Sequence, residues 1–512
     1  MSGAGDRAAR LAAAGRLQAE GRFDEAIGLL RRVVEQAPGD PAGWAALVRC
    51  CFAARRAALA LQVFDQARRH APITADLLSA QAAVLQSLSR VDEAQAAFQA
   101  ALGLEPDHAD ARFGLASLAV ERGDWSAAEA LAAPLLVRPD RAPGLDWLAA
   151  RIAVGRGDLA SAKVTLEALL AGPALAPAPR AEALLLLGEA LDGLGDPAGA
   201  FAAATHGKGL LRGLYAERAA GREGEVARLL RLDAWFAQAD PGPWRAAPIR
   251  APAPGEAAAH VFLVGFPRSG TTLLEQMLAA HVGVVALEEG PTLAEPFAAF
   301  MGDAEGLQRL AALPEREAAA WRARYWATVK AEGCAVEGRL FLDKQPAGTA
   351  WLPLVARLFP AAKVLFAVRD PRDVVLSCLR QNFQMNAMTY AFTDLAETAA
   401  CYDACMALAR RYRALLPLAW REARHEALIA DPQGELAALA AWLGLALEPA
   451  MLDLAGAAAR RLVRTPSAAQ LREGLTTRHA GRWRGYAEQL APVLPMLAPW
   501  IEAFGYGDGA SG

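Results

Sequence analysis

Residues 265–272 read Gly265-Phe-Pro-Arg268-Ser269-Gly270-Thr271-Thr272, a short stretch that sets two glycines beside a cation and three hydroxyls. The frame G-x-x-x-x-G lets backbone N–H groups at a helix N-terminus close around a phosphate. A nucleoside-triphosphatase of this frame follows its second glycine with Lys, which engages the outer phosphates beside Mg²⁺. Here that position is Thr271. The chemistry expected of the stretch is therefore phosphate binding without transfer from an ATP·Mg²⁺ complex.

Further cations follow apolar runs. Leu340-Phe-Leu342 leads through Asp343 to Lys344, and Lys363-Val-Leu-Phe-Ala-Val368 leads to Arg369. After Arg369 comes Asp370-Pro-Arg-Asp-Val-Val-Leu-Ser377, with Pro371 placed to open a helix. Arg369 offers fork geometry for a phosphate and Ser377 a hydroxyl. The carboxylates Glu288 and Glu289 follow the loop region closely and could serve as a general base, with His281 as their rival.

These residues need elements to hold them. Val261 to Val264 is a β-branched and aromatic run long enough for one buried parallel strand, and Leu273, Leu274, Met277 and Leu278 then recur at helical spacing. The reading is strand, tight loop, helix, with 281–287 as a second strand. Open parallel α/β sheets bind ligands at the carboxyl ends of their strands, so Arg268, Lys344 and Arg369 would face one anionic ligand. Lys344 and Arg268 could offset the negative charge of such a ligand without a metal.

The N-terminal half has a different period. Pro38, Pro72, Pro106 and Pro139 recur at a near-constant interval, and Gly21, Gly123 and Gly157 keep the same register. Ala26, Ala60, Ala94 and Ala128 supply a small contact residue once per period, with Phe64 and Phe98 four positions beyond the middle two. Small residues let two helices approach closely, and each proline ends a unit. A period of about 34 residues is that of the tetratricopeptide repeat, which the pattern resembles over about 7–175, and more loosely over 176–216. Five units, or six, would stack with a concave groove, which the family resemblance makes a protein- or peptide-binding scaffold. A solenoid that only dimerises or supports the other half is the alternative. The expected division is a repeat solenoid over 7–216, a helix and Pro/Ala-rich linker over 217–259, whose stretch from Gln238 to Ala259 reads as a linker or a wrapped connection, and a catalytic domain over 260–505.

The whole chain of 512 residues carries a net charge of −3, which supplies no general attraction for nucleic acid or an anionic membrane. Its six cysteines lack zinc-site spacing, and Cys401 and Cys405, one helical turn apart, read as a buried helix face. We expect no metal, no signal peptide and no membrane span, and hence a cytoplasmic protein; the alanine-rich composition fits a GC-rich bacterial genome.

GFPRSGTT, Asp343-Lys344-Gln-Pro346, VRDPRDVVLS and Gly481-Arg482-Trp483-Arg484-Gly-Tyr486 together resemble the sulfotransferases that use 3′-phosphoadenosine-5′-phosphosulfate (PAPS). The resemblance covers about 260–490 and is nearest to the tyrosylprotein sulfotransferase branch. It implies that Arg268, Ser269, Gly270, Thr271 and Thr272 hold the 5′-phosphosulfate, and that Arg369 and Ser377 hold the 3′-phosphate. Lys344 would stand beside the bridging oxygen and Glu289 would be the base. Ser467 and Arg482 match positions near the nucleotide. The branch tends to carry Arg-Tyr-Glu-Asp where this chain has Arg424-His425-Glu426-Ala427, so a contact to nucleotide or acceptor differs there. The expected fold is an all-α repeat solenoid followed by an α/β P-loop-like domain with a central parallel sheet. The expected activity is sulfuryl transfer to a hydroxyl, on a protein or peptide, or else on a carbohydrate, lipid or small molecule. A repeat scaffold with a vestigial nucleotide site is the non-enzymatic alternative.

Overall fold

A left-handed residue is needed at the same point of every N-terminal repeat. Positions 21, 55, 89, 123 and 157 are evenly spaced along the chain, and all have positive φ: 76° at Gly21, 58° at Arg55, 58° at Ser89, 72° at Gly123 and 82° at Gly157. Glycine adopts this conformation freely, whereas Arg55 and Ser89 hold it at a steric cost. The computed structural model describes residues 2–138, 141–172, 175–245, 250–453 and 480–507. Among the described residues of its first compact unit, Met1–Leu175, ten helices from Ser2–Ala19 to Leu159–Ala171 form five antiparallel pairs. Ala26, Ala60, Ala94, Ala128 and Ala162 are all fully buried, one per pair, where the helices close on each other. Asp124 and Asp158 cap the helices that follow their turns, accepting from Ala127 N and Ser161 N.

The second compact unit, Ala176–Gly512, is built on a five-stranded sheet. Its strands are β1 (Ala259–Val264), β2 (Val284–Glu288), β3 (Leu340–Lys344), β4 (Lys363–Val368) and β5 (Ala419–Arg424). They run parallel in the order β2-β3-β1-β4-β5. Because both faces are covered, β1, β3 and β4 read as near-continuous apolar runs rather than alternating ones. On one face Val261, Leu263, Leu342 and Leu365 pack under the helices Thr271–Ala279 and Pro432–Leu443. On the other, Phe262, Phe341 and Phe359 gather with Tyr325 and Trp326 around His260. The expected strand near 281–287 is β2. Strand β5 is less legible, because an edge strand reading Ala419-Trp-Arg-Glu-Ala-Arg424 carries charge that a central strand would exclude.

The two units divide between Leu175 and Ala176 rather than at the expected 216. The helices Pro177–Gly193 and Pro197–Ala219 cross closely, since a Cβ on Gly188 or Gly207 would meet a backbone oxygen at 3.0 Å. This pair packs within the second unit, with Met385 against its apolar cluster of Ala181, Leu185, Ala204 and Leu211. The expected linker over 217–259 also belongs there. Its Glu225–Ala237 helix sends Asp233 to Arg411 at 2.5 and 2.9 Å, and Trp244 is fully buried beside Phe236. Among the described residues no helix is long and apolar enough to cross a membrane.

Candidate active site

All five parallel strands deliver a polar residue to the carboxyl edge of the sheet. Arg268 lies in the loop after β1, Glu288 ends β2 and Glu289 follows it, Lys344 ends β3, Arg369 follows β4 and His425 follows β5. The register makes neighbours of the central pair, because Glu288 stands opposite Lys344 across the β2–β3 ladder. Sequence reasoning anticipated Arg268, Lys344, Arg369 and Glu289 at such ends. It noted His425 only as a departure from the related pattern.

The loop from Gly265 to Gly270 is constrained on both flanks. A Cβ on Gly265 would meet the Ala367 carbonyl oxygen at 2.7 Å, so glycine lets the loop pass close to β4. Gly270 has φ +93° and its Cα faces His425, whose Nδ1 would lie 2.5 Å from an added Cβ. The imidazole thus stands against the phosphate loop. Ser269, Thr271 and Thr272 are buried, and Thr271 begins the helix whose N-terminal amides face the loop. Arg268 itself is left-handed, with φ 73°.

Two buried guanidinium groups meet behind this loop. Arg268 Nε donates to Ser377 Oγ at 2.9 Å, and an Nη of Arg369 donates to the Arg268 carbonyl oxygen at 3.2 Å. Burial, and then the neighbouring Arg369, lowers the Arg268 pKa to about 10. Two neighbouring cations at this edge would favour an anionic ligand. The paired arginines, the Ser377 hydroxyl and the amides of the loop fit a ligand with more than one phosphate-like group. Ser377 is positioned by the Pro371–Arg380 helix, which Asp370 caps by accepting from Arg372 N at 2.9 Å.

Lys344 has no exposed side-chain surface and is surrounded by carboxylates. Its Nζ lies 2.9 Å from Glu289 Oε1, 3.3 Å from Glu288 Oε1 and 3.5 Å from Glu275 Oε2. Burial works against its charge, but the three carboxylates outweigh it and the Lys344 pKa is raised. Glu289 is the outermost of the three, its side chain 46% exposed, whereas Glu275 is fully enclosed. Glu275 was not anticipated; its signal is its position one turn after Thr271, on the inner face of the loop helix.

The backbone around Glu289 is locked. Glu289 N donates to Lys344 O at 2.9 Å, and Gln345 Nε2 donates to Gly290 O at 2.5 Å. Behind them Asp343 Oδ2 accepts from Thr292 Oγ1 at 2.8 Å and from the Tyr325 hydroxyl at 2.7 Å. Glu289 has φ 52°, a left-handed geometry that costs a residue with a side chain and that this frame holds in place. His281, the rival base, lies instead before Val284 at the opposite end of β2. Its Nδ1 accepts from Gly283 N at 2.9 Å and its Nε2 lies 3.4 Å from Glu448, which makes it a turn residue.

The Arg482-containing segment docks on the same helix as Ser377. Asp373 accepts from Gly481 N at 2.6 Å and from Trp483 N at 2.8 Å, while the Arg372 guanidinium stacks 3.7 Å from the centre of the Trp483 ring. Arg482 pairs with Asp192. Ser467 lies outside the described residues. Cys401 and Cys405 are buried in the Leu395–Leu415 helix, and no metal-binding cluster of three or more His, Cys, Asp or Glu occurs among the described residues.

Residues 260–449 match the sulfotransferase family. The tetratricopeptide repeat matches at 17–84 and 86–143. The chain therefore carries a sulfotransferase-family domain and, before it, tetratricopeptide repeats. An uncharacterized protein of Aquifex aeolicus (strain VF5) is 28% identical over 245 residues, which are 46% of this chain and 32% of that protein. A Caenorhabditis briggsae protein named "Putative protein-tyrosine sulfotransferase" is 24% identical over 261 residues, 49% of this chain and 90% of its own length. Among solved structures, the sulfotransferase domain of the Synechococcus PCC 7002 olefin synthase aligns at 23% identity over 48% of this chain and 98% of that one, with a TM-score of 0.27. A tetratricopeptide repeat protein of Parabacteroides merdae aligns at 15% identity over 41% of this chain and 86% of that one, with a TM-score of 0.30.

Proposed function

We propose that this chain transfers a sulfuryl group from PAPS to a hydroxyl on a protein or peptide acceptor recruited by its repeats. The observation that carries the reading is the convergence at one sheet edge of a buried Lys344 touching Glu289 and a buried Arg268 touching Ser377. Arg268, Ser269, Gly270, Thr271 and Thr272 would hold the 5′-phosphosulfate, with Arg369 and Ser377 on the 3′-phosphate. The nucleotide supplies an activated sulfuryl group. The protein's part is positioning and charge: Lys344 and Arg268 offset the negative charge left on the phosphate when its bond to sulfur breaks. Glu289 takes the proton from the acceptor hydroxyl as the new oxygen–sulfur bond forms.

The loop position taken by Thr271 instead of Lys supports a donor other than ATP·Mg²⁺. The family match supports sulfuryl transfer as the reaction class, and the repeats support a macromolecular acceptor. Titration of the purified chain with 3′-phosphoadenosine-5′-phosphate, against ATP with Mg²⁺, tests the reading. Metal-independent binding of the former alone is expected, followed by transfer of labelled sulfate from PAPS to acceptor peptides. Preference for ATP would overturn it.

A further inference from the structure

A lysine outside the family-matched stretch reaches the helix that carries Ser377. Lys208, on the Pro197–Ala219 helix, is fully buried. Its Nζ donates to Gln381 O at 2.7 Å and to Cys378 O at 3.3 Å, and lies 5.4 Å from the centre of the Phe383 ring. Those carbonyls close the C-terminal end of the Pro371–Arg380 helix, where unsatisfied oxygens concentrate partial negative charge.

A second tie comes from the other helix of the pair. Asp192, its side chain 6% exposed, receives Arg380 Nη2 at 2.8 Å together with Arg482 and the Tyr486 hydroxyl. The last turn of the Ser377 helix is thus held by an ammonium on its carbonyls and a carboxylate on its terminal arginine.

Burying an ammonium is unfavourable unless it is compensated, and burial pushes Lys208 down to about 8. The compensation is specific: two carbonyls and an aromatic face, all on or just beyond one helix end. A phosphate held by Ser377 would approach the C-terminal half of that helix, the end that repels anions.

We infer that Lys208 and Asp192 are positioning residues for the 3′-phosphate subsite: both fix the helix end that presents Ser377 to Arg268, and Lys208 alone neutralises the carbonyls that would repel the phosphate. This rests on the assignment of Ser377 and Arg369 to the 3′-phosphate. It makes selection of a 3′-phosphorylated nucleotide depend on a helix pair that precedes the sulfotransferase-family match.

The experiment compares the full-length chain with Lys208→Met and Asp192→Asn by calorimetric titration, using 3′-phosphoadenosine-5′-phosphate and adenosine 5′-monophosphate. The wild type should prefer the former. Lys208→Met should lower that preference by about tenfold or more through the 3′-phosphorylated ligand alone, with adenosine 5′-monophosphate affinity within about twofold. Asp192→Asn should move it in the same direction and is read alone if Lys208→Met does not fold. A folded variant that keeps the wild-type ratio, or loses both ligands equally, overturns the proposal. A wild type that does not distinguish the two nucleotides overturns the subsite assignment itself, a separate failure.

Discussion

The Nζ of Lys344 donates to Glu289 Oε1 at 2.9 Å, so the side chains proposed as charge stabiliser and base neutralise each other. A donor whose leaving oxygen takes up Lys344 Nζ would draw the ammonium away from this contact and leave Glu289 free to face the acceptor.

Lys344→Ala is expected to lower turnover by about 10²–10³, the size found when one preorganised charge-stabilising donor is removed. Affinity for 3′-phosphoadenosine-5′-phosphate should change only a few-fold. Three carboxylates lose their cation, so stability should fall by about 3 kcal/mol, which urea unfolding measures in parallel. Unchanged turnover would remove Lys344 from the mechanism.

Glu289→Gln should abolish transfer while leaving nucleotide binding intact, because the amide keeps the shape but takes no proton. Glu288→Gln should retain most activity. Steady-state rates for the pair decide between two carboxylates that both touch Lys344; the reverse result would make Glu288 the base.

Ser377→Ala removes a hydroxyl that accepts from Arg268 Nε at 2.9 Å. The 3′-phosphorylated nucleotide should bind about tenfold more weakly, corresponding to about 1.4 kcal/mol. Equal binding by wild type and variant in calorimetry would refute the 3′-phosphate assignment.

Asp343 provides a pH test of the frame behind Glu289. Burial pushes its carboxyl up to about 6, against the donations from Tyr325 and Thr292 that favour the charged form. Between about pH 4 and 6 the folded protein keeps a proton that the unfolded chain has lost, so this contribution is complete at the acid end and disappears as pH rises through 6. Asp343→Asn removes the titration. The stability difference, wild type minus variant, should fall by about 3 kcal/mol between about pH 4 and 7, since two pKa units correspond to that energy. A difference that stays flat across urea melts in this range would contradict the assignment.

Arg55 and Ser89 hold the left-handed turn that glycine occupies elsewhere in the repeats, and both are exposed. Arg55→Gly and Ser89→Gly should each stabilise the protein by about 0.5–1 kcal/mol, relieving the steric cost without losing a buried contact. Thermal unfolding of the full chain measures the effect. A loss of stability would mean that the flexibility glycine gives the unfolded chain outweighs the strain.

The repeats were legible because their period is local: a proline, a turn residue and a small alanine recur once per unit, and each reports on its own helix pair. The strand ends were legible for a similar reason, since apolar runs stop abruptly at Arg268, Lys344 and Arg369. What stayed hidden depends on distant pairing. Glu275 looks like any helix carboxylate until β3 brings Lys344 to it, and β5 carries too much charge to announce itself as a strand. Lys208 and Trp244 sit in stretches that read as loose repeat and linker, and only the fold shows both fully buried. His281 and Glu289 were rivals by type, and the direction of β2 separates them.

The seam at Leu175 and Ala176 sets what can be exchanged or removed. Cutting the chain at residue 260, where the family resemblance begins, would strip Lys208 and Asp192 from their partners and uncover Met385, which packs against the removed pair. The repeats before the seam can in principle be shortened, lengthened or replaced by recombination, because each pair closes on its own neighbours. The last helix pair cannot travel with them. An exchange of repeats made at Leu175 therefore leaves the Lys208 and Asp192 contacts to the Ser377 helix in place, whereas one made at residue 260 removes them.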